Sequence, residues 1–170
     1  MRHQKGFSLI ELLIVVAIIL IIAAIAIPNL LRAKISADES SAAASVRQLS
    51  TAQISYAAAY PLNGYAANLS ALGPGSSNCS SGPTSDNACI VDNVLGSGFK
   101  SGYQFLSVGS AGGSGNPNTQ FVSSSAPTSP GVSGVRNFCT ITDGVLRIDP
   151  GPGTAIAPDV ATCSAYPIAQ

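Results

Sequence analysis

A long apolar stretch near the amino terminus changes into a one-sided helical pattern. Phe7 to Ile27 contains 21 residues, of which only Glu11 is charged. As an α-helix, this stretch would be about 32 Å long, which is enough to cross the hydrocarbon core of a bilayer. From Asn29 to Tyr60, apolar side chains recur three, four or seven positions apart and form one stripe on a helix. The stripe consists of Leu31, Ile35, Ala42, Val46, Leu49 and Tyr56.

The two patterns join into one predicted helix of about 54 residues, roughly 80 Å long if it is straight. Its first half is apolar on every side, and its second half is amphipathic. Pro28 lies between the halves, where it removes a backbone donor and clashes with the preceding turn, so we expect a kink or a break. Pro61, followed by the turn dipeptide Asn63-Gly64, ends the helix.

The carboxy-terminal part alternates between turn-rich segments and short strand patterns. Four stretches have strand character; they are Gly102–Val108, Thr119–Ser123, Val135–Thr142 and Val145–Ile148. The dipeptide Asp143-Gly144 between the last two predicts a β-hairpin. Because the apolar stripe of the helix needs a sheet to cover it, we expect an α+β fold, in which a long amino-terminal helix packs on a small antiparallel sheet.

The composition of the chain excludes several classes of function. Charged residues make up only 9% of the chain and the formal net charge is zero, which argues against a nucleic-acid-binding protein. The only histidine is His3, which would be lost if the first six residues were removed. The many serines would then lack the usual general base, and we predict neither an enzyme nor a cofactor. Asp143, Asp149 and Asp159 do not have the spacing of a calcium-binding loop, so we predict no metal site.

Four cysteines are present, and none forms the C-x-x-C pair that is typical of zinc sites. An even number of cysteines in an exported chain indicates disulfides. Four cysteines allow three pairings, of which we favour the two local bonds, Cys79–Cys89 and Cys139–Cys163. Four buried, reduced thiols are the alternative.

Glu11 needs an explanation, because a carboxylate inside a membrane span costs a few kcal/mol. It lies one turn inside the span, so its side chain can reach the lipid headgroups. Alternatively, it meets a cation. If the chain were cut after Gly6, Phe7 would gain an α-amino group about 6 Å along the helix axis from Glu11. The amine of a staggered neighbouring copy would then neutralise Glu11 in an apolar core.

The start of the chain also has features of an export signal. Met1 to Gly6 is short and contains Arg2 and Lys5, which favours a cytoplasmic amino terminus. Arg32 and Lys34 follow the span and weaken this preference, so charge alone does not decide the orientation. The apolar stretch is longer than the roughly 7–15 residues of a secretory signal peptide. However, the sequence Ala24–Ala26 imitates a cleavage site, so a signal peptide remains an alternative.

The stretch Lys5–Leu12, KGFSLIEL, and the following run AAIAIPN, which ends at Asn29, resemble the processing motif of type IV prepilins and of type II secretion pseudopilins. This resemblance implies that a prepilin peptidase cuts between Gly6 and Phe7 and methylates the Phe7 amine. It also implies that Glu11 pairs with the Phe7 amine of a neighbouring copy. Family members often carry a glycine at the position of Leu20. Because Leu20 favours a helix more than glycine does, the resemblance leaves open how far the helix melts near Pro28.

The resemblance implies a division of the chain into a leader peptide (1–6), an apolar membrane and filament-core helix (7–28), an amphipathic helix (29–60) and a globular α+β head (61–170). The expected function is a structural subunit that polymerises into an extracellular type IV pilus for adhesion, motility or DNA uptake. The expected partners are other copies of the chain, the prepilin peptidase, inner-membrane assembly machinery and, before assembly, the inner membrane itself. Two alternatives remain, a pseudopilin of a secretion system in the periplasm and a membrane-anchored binding module that does not polymerise.

Overall fold

The computed structural model describes residues 7–75, 79–80, 82–113, 115–151, 153 and 155–169, and it has the expected α+β fold. The elements in chain order are α1 (Leu9–Ala59), α2 (Leu69–Leu72), α3 (Asn93–Gly96), β1 (Phe99–Lys100), β2 (Tyr103–Ser110), β3 (Gln120–Pro127), β4 (Asn137–Ile141), β5 (Arg147–Asp149) and α4 (Val160–Ser164). The chain divides into two units, Met1–Lys34 and Ile35–Gln170, and α1 contributes to both.

Helix α1 contains 51 residues and agrees with the predicted helix to within two residues at each end. Pro28 lies inside it, so the backbone remains helical through this residue and the expected break does not occur. One proline removes a single backbone hydrogen bond, and the strongly helix-compatible residues on both sides retain theirs. A kink at Pro28 stays a prediction.

The five strands form one antiparallel sheet in the order β1-β2-β3-β4-β5, so each strand pairs with its neighbour in the sequence. Strands β2 and β3 form the longest ladder, from Tyr103 opposite Pro127 to Ser110 opposite Gln120. Strands β2 to β5 correspond to the four predicted strands. The two-residue strand β1 is too short to show a periodic pattern, and the sequence did not indicate it.

The predicted hairpin is the connection between β4 and β5, but β5 begins two residues later than expected. The N–H of Gly144 donates to the carbonyl of Ile141 at 2.9 Å, and Gly144 has a φ of +71°, a conformation that glycine tolerates best. The N–H of Val145 then donates to the Asp143 carboxylate at 2.9 Å. This bond extends the turn past Val145, so pairing with β4 starts at Arg147.

The main core of the unit Ile35–Gln170 lies between the second half of α1 and the sheet. From the helix, Ala42, Val46, Leu49, Ala52 and Tyr56 are buried. They share one cluster with the aromatic sheet residues Tyr103, Phe105 and Phe138. Burial of each large side chain contributes about 1.5–3 kcal/mol. The predicted stripe is therefore buried from Ala42 onward, whereas its first member, Leu31, is 55% exposed.

A polar network links α1 to the sheet at the centre of this core. Gln53 is fully buried, and its amide donates to Ser107 Oγ at 2.8 Å and to the carbonyl of Ala66 at 3.3 Å. Its oxygen accepts the N–H of Ala66 at 2.8 Å. Ser107 continues the network to Ser123 across the β2–β3 ladder, at 2.8 Å. Because these groups satisfy one another, they fix the position of the helix without the cost of unpaired buried polar atoms.

Glu39 is a buried carboxylate that connects α1 to the segment between β3 and β4. Its Oε1 accepts the N–H groups of Val135 at 2.8 Å and Arg136 at 3.2 Å, and its Oε2 lies 2.6 Å from Nη2 of Arg136. Burial alone would raise the pKa of Glu39, but these hydrogen bonds and the guanidinium outweigh it and hold the pKa below its usual value. The charged form therefore stabilises the fold.

Two disulfides tie down the loops, with the pairing that the sequence favoured. Cys79 is bonded to Cys89, with Cα atoms 6.0 Å apart, and Cys139 to Cys163, with Cα atoms 5.9 Å apart. The second bond connects β4 to α4 across 24 positions of sequence. Closure of such a loop stabilises the fold by roughly 3–4 kcal/mol in the chain-entropy model. It holds the carboxy-terminal segment against the sheet.

Replacement of Glu39 by Gln is expected to lower the free energy of unfolding of the unit Ile35–Gln170 by about 1–3 kcal/mol near neutral pH, because a neutral amide replaces a charge-assisted acceptor. Since the folded-state pKa lies below the unfolded-state value, the contribution of Glu39 is present above the unfolded pKa and is lost as the pH falls through the folded pKa. Urea titrations of the full chain in detergent, followed by near-ultraviolet circular dichroism at several pH values, measure the difference.

The neighbouring variant Asp38→Asn is the control, because Asp38 is only half-buried. This variant should change the stability by less than about 0.5 kcal/mol. A difference between wild type and Glu39→Gln that stays constant down to about pH 3 would contradict the assignment.

Candidate assembly site

The unit Met1–Lys34 presents a continuous apolar surface in its described part. The large apolar side chains from Phe7 to Leu31 are exposed, between 45% for Val16 and 79% for Phe7 and Leu9. The most apolar stretch of α1 contains no buried residue. By length and composition, α1 is the one helix among the described residues that qualifies to cross a membrane. An apolar patch of this size marks a surface that contacts lipid or protein.

The beginning of α1 gives Glu11 a role within its own chain. The N–H of Leu12 donates to the carbonyl of Ser8 at 3.3 Å, so Ser8 caps the helix and Glu11 is the third helical residue. The N–H of Ser8 donates to Oε2 of Glu11 at 3.0 Å, which is one of the two hydrogen bonds of a capping box. The partial positive charge at the helix amino terminus also favours a carboxylate here.

This contact was missed in the sequence analysis, although the spacing Ser-x-x-Glu indicates it. The sequence interpretation considered only lipid headgroups or a neighbouring copy as partners of Glu11. The local bond uses one carboxylate oxygen. The other, Oε1, has no hydrogen-bond partner among the described residues, so it is able to accept a donor from outside the chain.

The structure separates the remaining predicted site residues. Gly6 and the rest of the predicted leader lie outside the described residues. Phe7 is highly exposed and lies just before the cap, and Pro28 is 17 positions beyond Glu11 on α1. The four cysteines belong to the unit Ile35–Gln170, where they stabilise loops. Phe7, Ser8 and Glu11 are therefore the described residues that form the candidate assembly site.

The aspartates that were considered as calcium ligands have other partners. Asp143 forms an ion pair with Arg147 at 2.6 Å, and this hydrogen-bonded contact holds the pKa of Asp143 below its usual range. Asp149 accepts hydrogen bonds from Gly151 and Asn137, and Asp159 caps α4 through the N–H of Thr162. Among the described residues, no group of three or more His, Cys, Asp or Glu side chains is arranged to hold a metal ion.

Comparison with known proteins gives one family match and two relatives that each cover part of the chain. The family described as the prokaryotic N-terminal methylation motif matches residues 1–27. The chain is 64% identical over 39 residues to the type IV wide pilus major component PilA4 of Thermus thermophilus, covering 23% of this chain and 30% of that protein. It is 50% identical over 54 residues to the type IV major pilin protein PilA of Myxococcus xanthus, covering 32% of this chain and 24% of that protein. The chain thus spans less than a third of the length of these relatives, and no solved structure matches it.

Removal of the Glu11 carboxylate should expose the backbone N–H of Ser8. We expect the Glu11→Ala variant to exchange its Ser8 amide hydrogen roughly fivefold faster than wild type, because loss of a cap interaction costs about 1 kcal/mol. The Glu11→Gln variant retains an acceptor oxygen and should be intermediate. Nuclear magnetic resonance of the full chain in detergent micelles measures the exchange rates. Equal rates in the three proteins would show that the cap does not form.

Proposed function

We propose that this chain, whose amino-terminal motif and relatives support the type IV pilin family, is a structural subunit that polymerises into an extracellular filament. The observation that carries the proposal is the apolar segment of α1, in which no residue is buried, together with an acidic side chain at its start. A helix that is apolar on every side is stable in a membrane or inside a protein core. Neither environment is provided by the described part of a single chain.

The proposed pathway begins in the inner membrane. Before assembly, the segment 7–28 spans the bilayer, and residues 1–6 form the leader on the cytoplasmic side. A prepilin peptidase removes this leader between Gly6 and Phe7 and methylates the new amine. Methylation of an amine retains its positive charge, so the mature chain begins with a cation close to Glu11.

Assembly then replaces lipid with neighbouring copies. The apolar side chains of α1 pack against those of adjacent subunits. This contact replaces the lipid and keeps the apolar surface out of water once the chain has left the membrane. In that core, a bare carboxylate and a bare amine would each carry a large desolvation cost. We infer that the free Oε1 of Glu11 accepts a hydrogen bond from the Phe7 amine of a neighbouring subunit, while Oε2 continues to cap its own helix. The pair compensates both charges and sets the stagger between copies.

The unit Ile35–Gln170 supports the role of an exposed head. Its core is closed by the amphipathic part of α1, and its two disulfides suit an oxidising environment outside the cytoplasm. The proposed location is therefore the inner membrane for the precursor and the extracellular filament for the mature chain. Both relatives are named as pilus components. Adhesion, motility and DNA uptake are all compatible with such a filament.

Replacement of Glu11 by Ala is expected to reduce the number of surface filaments by at least about tenfold. The Phe7 amine would remain unpaired in the filament core, and an uncompensated buried charge costs several kcal/mol. The variant Asp38→Asn removes a carboxylate from the same helix within the unit Ile35–Gln170 and should assemble normally. Electron microscopy of cells that express each variant at the native level counts the filaments.

Intact-mass spectrometry of the same membranes separates a failure of processing from a failure of assembly. A Glu11→Ala chain that has lost Met1–Gly6 but forms no filaments supports the proposal. Undiminished assembly of this variant would contradict it. Filament length separates a pilin from a secretion pseudopilin, because a pseudopilus stays short whereas a pilus extends far from the cell.

A further inference from the structure

A polar groove in the unit Ile35–Gln170 lies outside the proposed assembly site. It forms where the end of α1 meets the turn after it, the start of α2, the loop closed by the Cys79–Cys89 disulfide, and the connection between β2 and β3. Its volume is about 360 Å³, which is in the range of small-molecule sites. We call it the amide groove, after the side chains that line it; the most important are Asn63, Tyr65, Asn68, Asp86, Asn116 and Asn118.

The amide groove offers hydrogen-bonding groups that the protein does not use. An asparagine side chain presents two donors and an acceptor, and a carboxylate presents acceptors only. The side chains of Asn116 and Asp86 are exposed, and within the described residues neither makes a hydrogen bond. The hydroxyl of Tyr65 likewise has no hydrogen-bond partner among the described residues, and Tyr65 is half-buried in the lining of the groove. Donors and acceptors of three kinds are thus free at one concave surface.

The walls of the groove are held in place by contacts behind them. Asn118 donates to the carbonyl of Tyr65 at 2.9 Å and accepts the N–H of Tyr65 through its own carbonyl at 3.0 Å. The rings of Tyr65 and Phe121 pack in a T-shaped arrangement, with centroids 4.8 Å apart. Elsewhere in the lining, the hydroxyl of Tyr56 donates to the carbonyl of Ser85 at 2.7 Å, which fixes the residue before Asp86. A site built on such contacts loses little entropy when it binds.

The charge and shape of the groove select the class of ligand. Among the described lining residues there is one carboxylate and no Lys, Arg or His, which disfavours an anion. One carboxylate also supplies little of the charge and few of the six to eight oxygen ligands that a calcium ion takes. Hydroxyl groups are both donors and acceptors and therefore match amides, and the aromatic face of Tyr65 suits an apolar C–H surface. We propose that the amide groove binds a neutral saccharide unit.

This binding does not depend on polymerisation, because every residue of the groove belongs to one unit of a single chain. It is tested with the full chain in a zwitterionic detergent, since detergents with sugar headgroups would compete. The probes are the methyl glycosides of glucose, galactose, mannose and N-acetylglucosamine, titrated by saturation-transfer nuclear magnetic resonance. At least one should bind with a Kd on the order of millimolar or tighter.

The variants Asn116→Ala and Asp86→Ala should each weaken that binding by roughly fivefold or more, the effect of one lost hydrogen bond. Asn93→Ala is the matched control, because Asn93 is an exposed asparagine on α3 outside the groove. It should bind like the wild type.

Four results would overturn the inference. The first is that none of the four glycosides binds, and the second is that the two groove variants bind like the wild type. The third is that glucuronate binds more tightly than the neutral glycosides. Groove signals that change on dilution of the protein, and not on addition of sugar, would instead assign the groove to a second copy of the chain and would also overturn it. A chain that forms filaments without binding any glycoside would contradict this inference alone and leave the proposed function standing.

Discussion

The structure depends on the burial of one helix with two different surfaces. From Ala42 onward, α1 has one apolar face, and the sheet of the same chain covers it through Val46, Leu49 and Tyr56. Between Phe7 and Leu31 the apolar side chains point in all directions and remain exposed. A sheet can cover only one face of a helix, so the first part needs a partner on every side. Lipid would meet this requirement before assembly, and a ring of identical helices would meet it in the proposed filament.

In the proposed filament, Glu11 gives the association of these apolar helices a defined register. Apolar surfaces associate without a defined register, because the hydrophobic effect is not directional. A carboxylate within the apolar segment changes this, since only a neighbour that brings a cation to the same depth avoids the cost of an unpaired charge. The bond from Ser8 N–H to Oε2 lowers that cost in the single chain and leaves Oε1 for the neighbour. One side chain thereby serves the start of the helix and, in the proposed filament, the stagger of the subunits.

The periodicity of apolar residues predicted the long helix and the main strands. It could not predict contacts between residues that lie far apart in the sequence. The bounds of α1 and the existence of β2 to β5 follow from repeats of 3.6 and 2 residues, which are local properties. Strand β1 and helices α2 and α4 are too short to repeat. The caps that begin α2 and α4, Asn68 and Asp159, were not interpreted. The buried Glu39 and Gln53 look like surface residues in the sequence, because their partners lie far along the chain, as Val135 does for Glu39. The amide groove likewise collects residues from four separate segments.

The most direct test is a high-resolution electron cryo-microscopy map of filaments purified from cells that produce the native chain. In such a map we expect each subunit to begin at Phe7, and the Phe7 amine to lie within ion-pair distance, about 3–4 Å, of the Glu11 carboxylate of a neighbouring subunit. A map in which Glu11 contacts only apolar side chains, or in which Met1–Gly6 is still attached, would contradict the proposed pairing of Glu11 with the Phe7 amine.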